Sequence, residues 1–352
     1  MRGRGDRLEA TLAERGLDRM LVTDLTNVRY LTGFTGTNGA VVCGPDLRVF
    51  LTDFRYTERA AAEVSEWETV TVTGDWLAGI AERLAGKVGF EDDHVSVRSL
   101  TKLEEKLPAG AEAVAAGGAV EALRRVKDGG ELAAIAEAAK LADAALKATV
   151  EEGFVGKTER AVADAFEAHV RAGGGTLSFD TIVAAGPNGA QPHAEPGDRV
   201  IPVGELVVFD NGAKLDGYCS DGTRTYATGG LGEEGQRVYE TVLAAQQASL
   251  EAIRPGVKGE DVDAAARKVI DDAGHGEHFG HGLGHGVGLD IHEGPRLSLR
   301  SDDILATNEV VTVEPGIYLA GDLGVRIEDL VVVEDGGLRN LSSLPKELTY
   351  VD

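Results

Sequence analysis

At 352 residues the chain exceeds what one compact hydrophobic core usually serves, so two domains are expected. Hydrophobic residues make up 43% and charged residues 27%, and no window approaches the roughly 18 consecutive apolar residues of a membrane helix, which excludes disordered and helical membrane-spanning classes. A formal net charge of -24, from 59 acidic and 35 basic residues, repels nucleic acid and anionic membranes alike, so neither is an expected partner.

The amino-terminal stretch MRGRGDRLEATLAERG is polar, and no apolar signal core follows its arginines, so a cytoplasmic location is expected. DRMLVTD, AVVCGP and LRVFLTD read as short β-rich runs, and RYTERAAAEV and WLAGIAERLAG have helical spacing, an α/β pattern. The small-residue stretch AGAEAVAAGGAVEA reads as an interdomain connection, dividing an amino-terminal domain, 1–122, from a second domain, 123–352. Leu132, Ile135, Ala139, Ala142 and Leu146 then recur at steps of three and four, one stripe of a helix that Asp128 caps. From Thr176 onward the chain is strand-rich, with further helices near 235–253 and 261–273. Cys43 and Cys219 have no redox or metal spacing and read as structural free thiols.

Chemistry enters through two strand pairs. ELVVFDNGAKLDGYCSDGTRTYAT reads as a hairpin, and a two-residue turn at Leu215 and Asp216 sets Asp210 directly opposite Asp221. VVTVEPGIYLAGDLGVRIEDLVVV, turning at Gly321, sets Glu314 opposite Glu328. Directly opposed residues share a face with β-carbons about 4.5–5.5 Å apart, where like charges are destabilising unless something offsets them. Carboxylates at contact distance share a proton or bind cations, and cations are the commoner remedy when four acids converge.

The segment FGHGLGHGVGLDIHEGP, 279–295, adds three histidines, and five of the chain's eight lie between His275 and His292. Four acids with one imidazole suit Mn²⁺ or Co²⁺ better than a sulfur-rich structural zinc site does. Two ions held about 3.5–4 Å apart acidify a water between them, which is hydrolase chemistry.

In these segments the chain resembles the proline-specific metallopeptidases, prolidase and aminopeptidase P, which share the pita-bread catalytic fold with methionine aminopeptidase. QPHAEP, FDNGAKLDGYCSDGTRT, GLGHGVGLDIHE, TVEPGIY and GVRIED occur in the family's order and spacing. NVRYLTGFTG, LTDFRY and LRRVKD extend the resemblance over essentially the whole chain. It implies a creatinase-like α/β amino-terminal domain followed by a pita-bread (α+β) metallopeptidase domain.

Carried over residue by residue, the resemblance implies Asp210, Asp221, His285, Glu314 and Glu328 as ligands of two divalent ions, Mn²⁺ first, with Co²⁺ or Zn²⁺ as alternatives. Asp221 and Glu328 bridge both ions, Asp210 completes one site, and His285 with Glu314 completes the other. His193 and His292 steady the scissile carbonyl and its oxyanion, Glu314 is the general base, and Thr223 and Arg326 orient ligands. Arg296 matches a prolidase arginine that binds the free carboxylate of a dipeptide, tilting the expectation toward Xaa-Pro dipeptidase over aminopeptidase P; a homodimer is expected as well.

His275, His278 and His281 are expected in packing or supporting roles, and Tyr218 and Tyr318 as packing residues. Asn211, Gln191 and Asp290 depart from the commonest family pattern without replacing a ligand. The full ligand set argues against a metal-free creatinase-like hydrolase and against a scaffold relative.

Overall fold

The computed structural model describes residues 3–352; Met1 and Arg2, the first two of the polar amino-terminal stretch, lie outside the described residues. The chain forms two compact units, the first ending at Arg124 and the second running from Arg125 to Asp352.

In the first unit, strands β1 (Arg19–Val22), β2 (Ala40–Gly44), β3 (Leu47–Thr52), β4 (Glu68–Thr71), β5 (Lys87–Phe90) and β6 (Glu112–Ala115) form one sheet in the order β4-β3-β2-β1-β5-β6. β2 pairs antiparallel with β1 and β3, and the outer pairs are parallel. Burial on both faces explains why β2 reads as an unbroken apolar run rather than an alternation. Helices α1 (Arg4–Arg15), α2 (Leu25–Thr32), α3 (Thr57–Glu63), α4 (Trp76–Ala81), α5 (Val97–Glu104) and α6 (Ala119–Arg125) accompany it, and Ile80 and Leu103 pack on Val42, Val49 and Leu51.

One reading of the sequence fails here. The stretch 109–122 is not a bare connection, because it holds β6, parallel to β5, and the start of α6. An edge strand needs partners on one side only, so Ala and Val suffice to carry the ladder where a central strand would announce itself by larger side chains.

In the second unit, the capping box of α7 (Gly129–Glu151) is complete: the Asp128 carboxylate accepts from the Gly130 and Glu131 amides, and Glu131 accepts from the Asp128 amide at 2.9 Å. Helices α8 (Glu159–Ala172), α9 (Glu233–Ala252) and α10 (Gly259–Asp272) follow. The strands are β7 (Thr176–Leu177), β8 (Ile182–Ala185), β9 (Leu206–Asn211), β10 (Ala213–Leu215), β11 (Tyr218–Cys219), β12 (Gly222–Ala227), β13 (Gly284–Gly286), β14 (Glu293–Leu297), β15 (Val310–Val313), β16 (Gly316–Leu319), β17 (Leu323–Arg326), β18 (Asp329–Glu334), β19 (Gly337–Asn340) and β20 (Thr349–Tyr350).

Two sheets matter for the site, β20-β12-β9-β8 and β14-β13-β15-β18-β19. Leu146 of α7 and Phe166 of α8 pack on Val207 and Phe209 of β9, while Val242 of α9 and Ile270 of α10 pack on Val311 and Val313 of β15. Side chains alternate along a strand, so the residues between these apolar ones face away from the helices. Asp210 follows Phe209, and Thr312 lies between Val311 and Val313. Among the described residues no helix is long and apolar enough to cross a membrane.

Candidate active site

The hairpin expected to set Asp210 opposite Asp221 exists with a different register. Leu215 pairs with Tyr218, so the tight turn is Asp216–Gly217, with φ of 46° and 82°, and Asp210 pairs with Thr223. A two-residue turn with both central φ positive matches the right-handed twist of the strands, and an Asp-Gly pair tolerates it. The slip is two positions, which preserves the face, so Asp221 lies diagonal to Asp210 rather than opposite it.

The second hairpin has the expected register, pairing Gly316 with Arg326 and Val313 with Asp329. Between those pairs, however, the ladder opens: the Glu314 amide donates to the Leu283 carbonyl at 2.9 Å, and the Glu328 amide to the Thr223 carbonyl at 3.0 Å. This detour of Glu328 onto β12 brings the acids of the two sheets together.

Carboxylate oxygens of Asp210, Asp221 and Glu328 lie within 4.8 Å of one another. His285 Nε2 is 3.5 Å from both Asp221 Oδ2 and Glu314 Oε1. Its Nδ1 is 3.0 Å from the Gly286 carbonyl; a proton held there leaves the Nε2 lone pair facing the acids. Thr223 Oγ1 donates to Glu328 at 2.7 Å, Arg326 Nη2 to Asp210 Oδ2 at 2.7 Å, Arg326 Nε to Thr223 Oγ1 at 3.0 Å, and Thr312 Oγ1 to Glu314 at 3.3 Å.

The electrostatics are those of a cation site. Burial, with the charges of Glu328, Asp210 and Glu314, pushes the Asp221 carboxyl well above its ordinary range. Burial and the charges of Glu314 and Asp210 do the same to Glu328, and burial pushes Glu314 up to about 7. Burial holds His285 down to about 4, keeping it a neutral donor. Asp210 Oδ1 is buried without a hydrogen-bond partner. An orphaned oxygen among mutually repelling carboxylates and a neutral imidazole fits divalent cations.

A second acidic group, Asp24, Glu91 and Glu121 in the first unit, shares the orphaned oxygen, here Glu121 Oε2, and differs at Glu91. Glu91 already accepts from the Thr23 and Asp24 amides and from Asn27 Nδ2.

The acids open into a cleft of about 540 Å³, also lined by His193, His292 and Arg296, all three exposed. The rings of His285 and His292 meet edge to face at 4.4 Å between centroids. Residues 133–335 match Metallopeptidase family M24, and residues 4–126 match the Creatinase/Prolidase N-terminal domain. The chain belongs to metallopeptidase family M24.

Among relatives of this metallopeptidase, the Xaa-Pro dipeptidase of Pyrococcus furiosus is 35% identical over 99% of this chain and 100% of its own. An Xaa-Pro dipeptidase from Bacillus anthracis superimposes with a TM-score of 0.96 at 38% identity, covering 99% of both chains. The X-Pro aminopeptidase of Thermotoga maritima superimposes at 0.92 with 34% identity, covering 99% of this chain and 100% of that one. These likenesses cover both units, so the metallopeptidase has the creatinase-type amino-terminal domain and mixed α/β fold that its motifs imply.

Tyr318 is more than the packing residue expected. It is buried, its hydroxyl accepts from Arg326 Nη1 at 2.9 Å, and it lies 2.9 Å from His281 Nε2. The signal was available in the register, because Tyr318 lies diagonal to Arg326, whose direct partner is the side-chain-free Gly316. Tyr218 instead donates to Glu131 at 3.2 Å. Asn211, one of the departures from the family pattern, is buried and ties β9 to β12 through the Gly222 carbonyl at 2.9 Å.

Proposed function

We propose that this metallopeptidase hydrolyses Xaa-Pro peptide bonds, with Xaa-Pro dipeptides as its first substrates. The carrying observation is the convergence of two acid pairs, each brought in by one hairpin, and a neutral imidazole beside a cleft lined by two exposed histidines and an exposed arginine. The names of its relatives support the proline preference. An Xaa-Pro bond lacks an amide hydrogen and is conformationally restricted, so it requires a dedicated site.

In this reading Asp210, Asp221, His285, Glu314 and Glu328 would hold two divalent ions. Mostly oxygen donors with one imidazole favour Mn²⁺, then Co²⁺ or Zn²⁺. The ions, when bound, supply Lewis-acid polarisation of the scissile carbonyl and a lowered pKa for water.

Glu314 takes the proton of the attacking water and returns it to the leaving imino nitrogen. His193 and His292 donate to the carbonyl and to the oxyanion that develops from it. Thr223 and Arg326 fix the carboxylates of Glu328 and Asp210. Arg296, exposed in the cleft, receives the free carboxylate of a dipeptide through a bidentate contact. We read the enzyme as a cytoplasmic homodimer, with the domain division near residue 122.

The test compares an Xaa-Pro dipeptide with an Xaa-Pro-Yaa tripeptide on the wild type and Arg296→Ala. Strong dipeptide cleavage that the variant selectively loses, by about 10- to 200-fold in kcat/KM, supports the dipeptidase reading. Cleavage of the tripeptide alone would replace it with the aminopeptidase P reading, which the Thermotoga maritima likeness favours.

A further inference from the structure

The segment LRRVKD has no part in the chemistry above, yet two of its side chains reach the strand and loop that carry His292 and Arg296. Lys127 Nζ lies 3.1 Å from Glu293 Oε2, with side chains only 1% and 7% exposed. The other oxygen of Glu293 accepts from the Asp290 amide at 3.1 Å, closing the turn that contains His292. Two residues earlier, Arg125 Nη1 holds Asp303 Oδ1 at 2.5 Å, and Asp303 Oδ2 accepts from the Arg296 amide at 2.8 Å. One short stretch therefore grips the 290–296 segment at both ends.

A buried ion pair is weak evidence for stability, since desolvation offsets much of the attraction, but losing one partner leaves the other charge buried and forces it to move. Glu293 is adjacent to His292 in sequence, so such a movement displaces the imidazole. We propose that Lys127, acting through Glu293, is a positioning residue for His292. This rests on the reading of His292 as a group that contacts substrate. An imidazole that must meet a developing oxyanion is sensitive to displacements of about 1 Å, which cost on the order of 100-fold in rate.

The test is a double-mutant cycle of Lys127→Met and His292→Ala, reading kcat and KM for an Xaa-Pro dipeptide alongside the thermal midpoint. Lys127→Met alone is expected to lower kcat about 10- to 100-fold with little change in KM. In the His292→Ala background it is expected to cost nothing further, because the group through which it acts is gone. A purely structural pair would instead lower the thermal midpoint and multiply the two losses. Glu293→Gln, which keeps an oxygen for the Asp290 amide and removes the charge, carries the same cycle if Lys127→Met does not fold.

Wild-type kcat in Lys127→Met, or in its Glu293→Gln substitute, overturns the proposal, as do multiplicative losses. Unchanged kcat in His292→Ala would instead refute the reading of His292 itself, and this inference with it.

Discussion

Arg326 makes hydrogen bonds to Asp210, Thr223, Tyr318 and the Pro192 carbonyl, all within 3.3 Å. Burial opposes its charge, but Tyr318 and the acids outweigh that and hold the guanidinium firmly protonated. Tyr318, already accepting from Arg326, has its proton free for His281 Nε2, and His281 Nδ1 lies 2.8 Å from the Gly282 carbonyl. His281 is thus a neutral imidazole with both nitrogens engaged. Burial, with the charges of Arg326 and Arg267, lowers its pKa to about 4.

An unfolded imidazole titrates near about 6.5, so between that value and the folded one the unfolded chain binds more protons. Stability from this group is full above the unfolded value and declines as pH falls through the folded one, by at most about 3 kcal/mol. Chemical unfolding at pH 7.5 and 4.5 should show His281→Gln losing less stability on acidification than the wild type. Parallel losses would mean that His281 is not held neutral.

At the scale of elements, the decisive feature is β13, a short strand squeezed between β14 and β15 so that His285 reaches the acids. A β-carbon on Gly284 would lie 2.0 Å from the Thr312 carbonyl oxygen, so only glycine permits this approach. Thr312 Oγ1 in turn accepts from the His285 amide at 3.0 Å and donates to Glu314. Gly284→Ala is expected to separate the strands, cost about 1–3 kcal/mol of stability, and lower kcat by displacing His285 and Glu314 together. Thermal unfolding and steady-state kinetics on one preparation check both; an active variant of native stability would show that β13 has slack.

Elements also mark how far the sequence could be read. The helix from Asp128 was legible because its cap and apolar stripe are local signals, and the Gly321 hairpin because a symmetrical turn fixes its register. The Asp210 hairpin was misplaced by two residues because Leu215–Asp216 and Asp216–Gly217 are both plausible turns in a linear string, and only the positive φ of the latter pair decides. The detour of Glu328 onto β12 was not legible at all. It depends on Thr223, 105 residues away, and no local pattern encodes a break in one ladder that serves another sheet. β6 was lost for a related reason: its pairing with β5 is tertiary, and its residues carry little strand signal of their own.

At the scale of the whole molecule, the two units have separate cores, and the second contains the carboxylates that burial and mutual charge push well above their ordinary range, with Asp210 Oδ1 unpartnered beside them. Crowding Asp221, Glu314 and Glu328 together lowers the stability of the second unit unless cations neutralise them. A ligand that binds only the folded state stabilises it by about 2.7 kcal/mol at 100 times its Kd. For a unit of this size that is about 5–10 °C in midpoint. Chelation should therefore lower, and Mn²⁺ restore, the calorimetric transition of the second unit. The first should stay put, because Glu91 in its own acidic group is already filled by amide donors. Asp221→Asn sharpens the test: removing one of the repelling charges should raise the midpoint of the chelated protein while abolishing most of the Mn²⁺ response. If both transitions moved together, or if the variant still responded fully, the acids joined by the two hairpins would not be the seat of the metal.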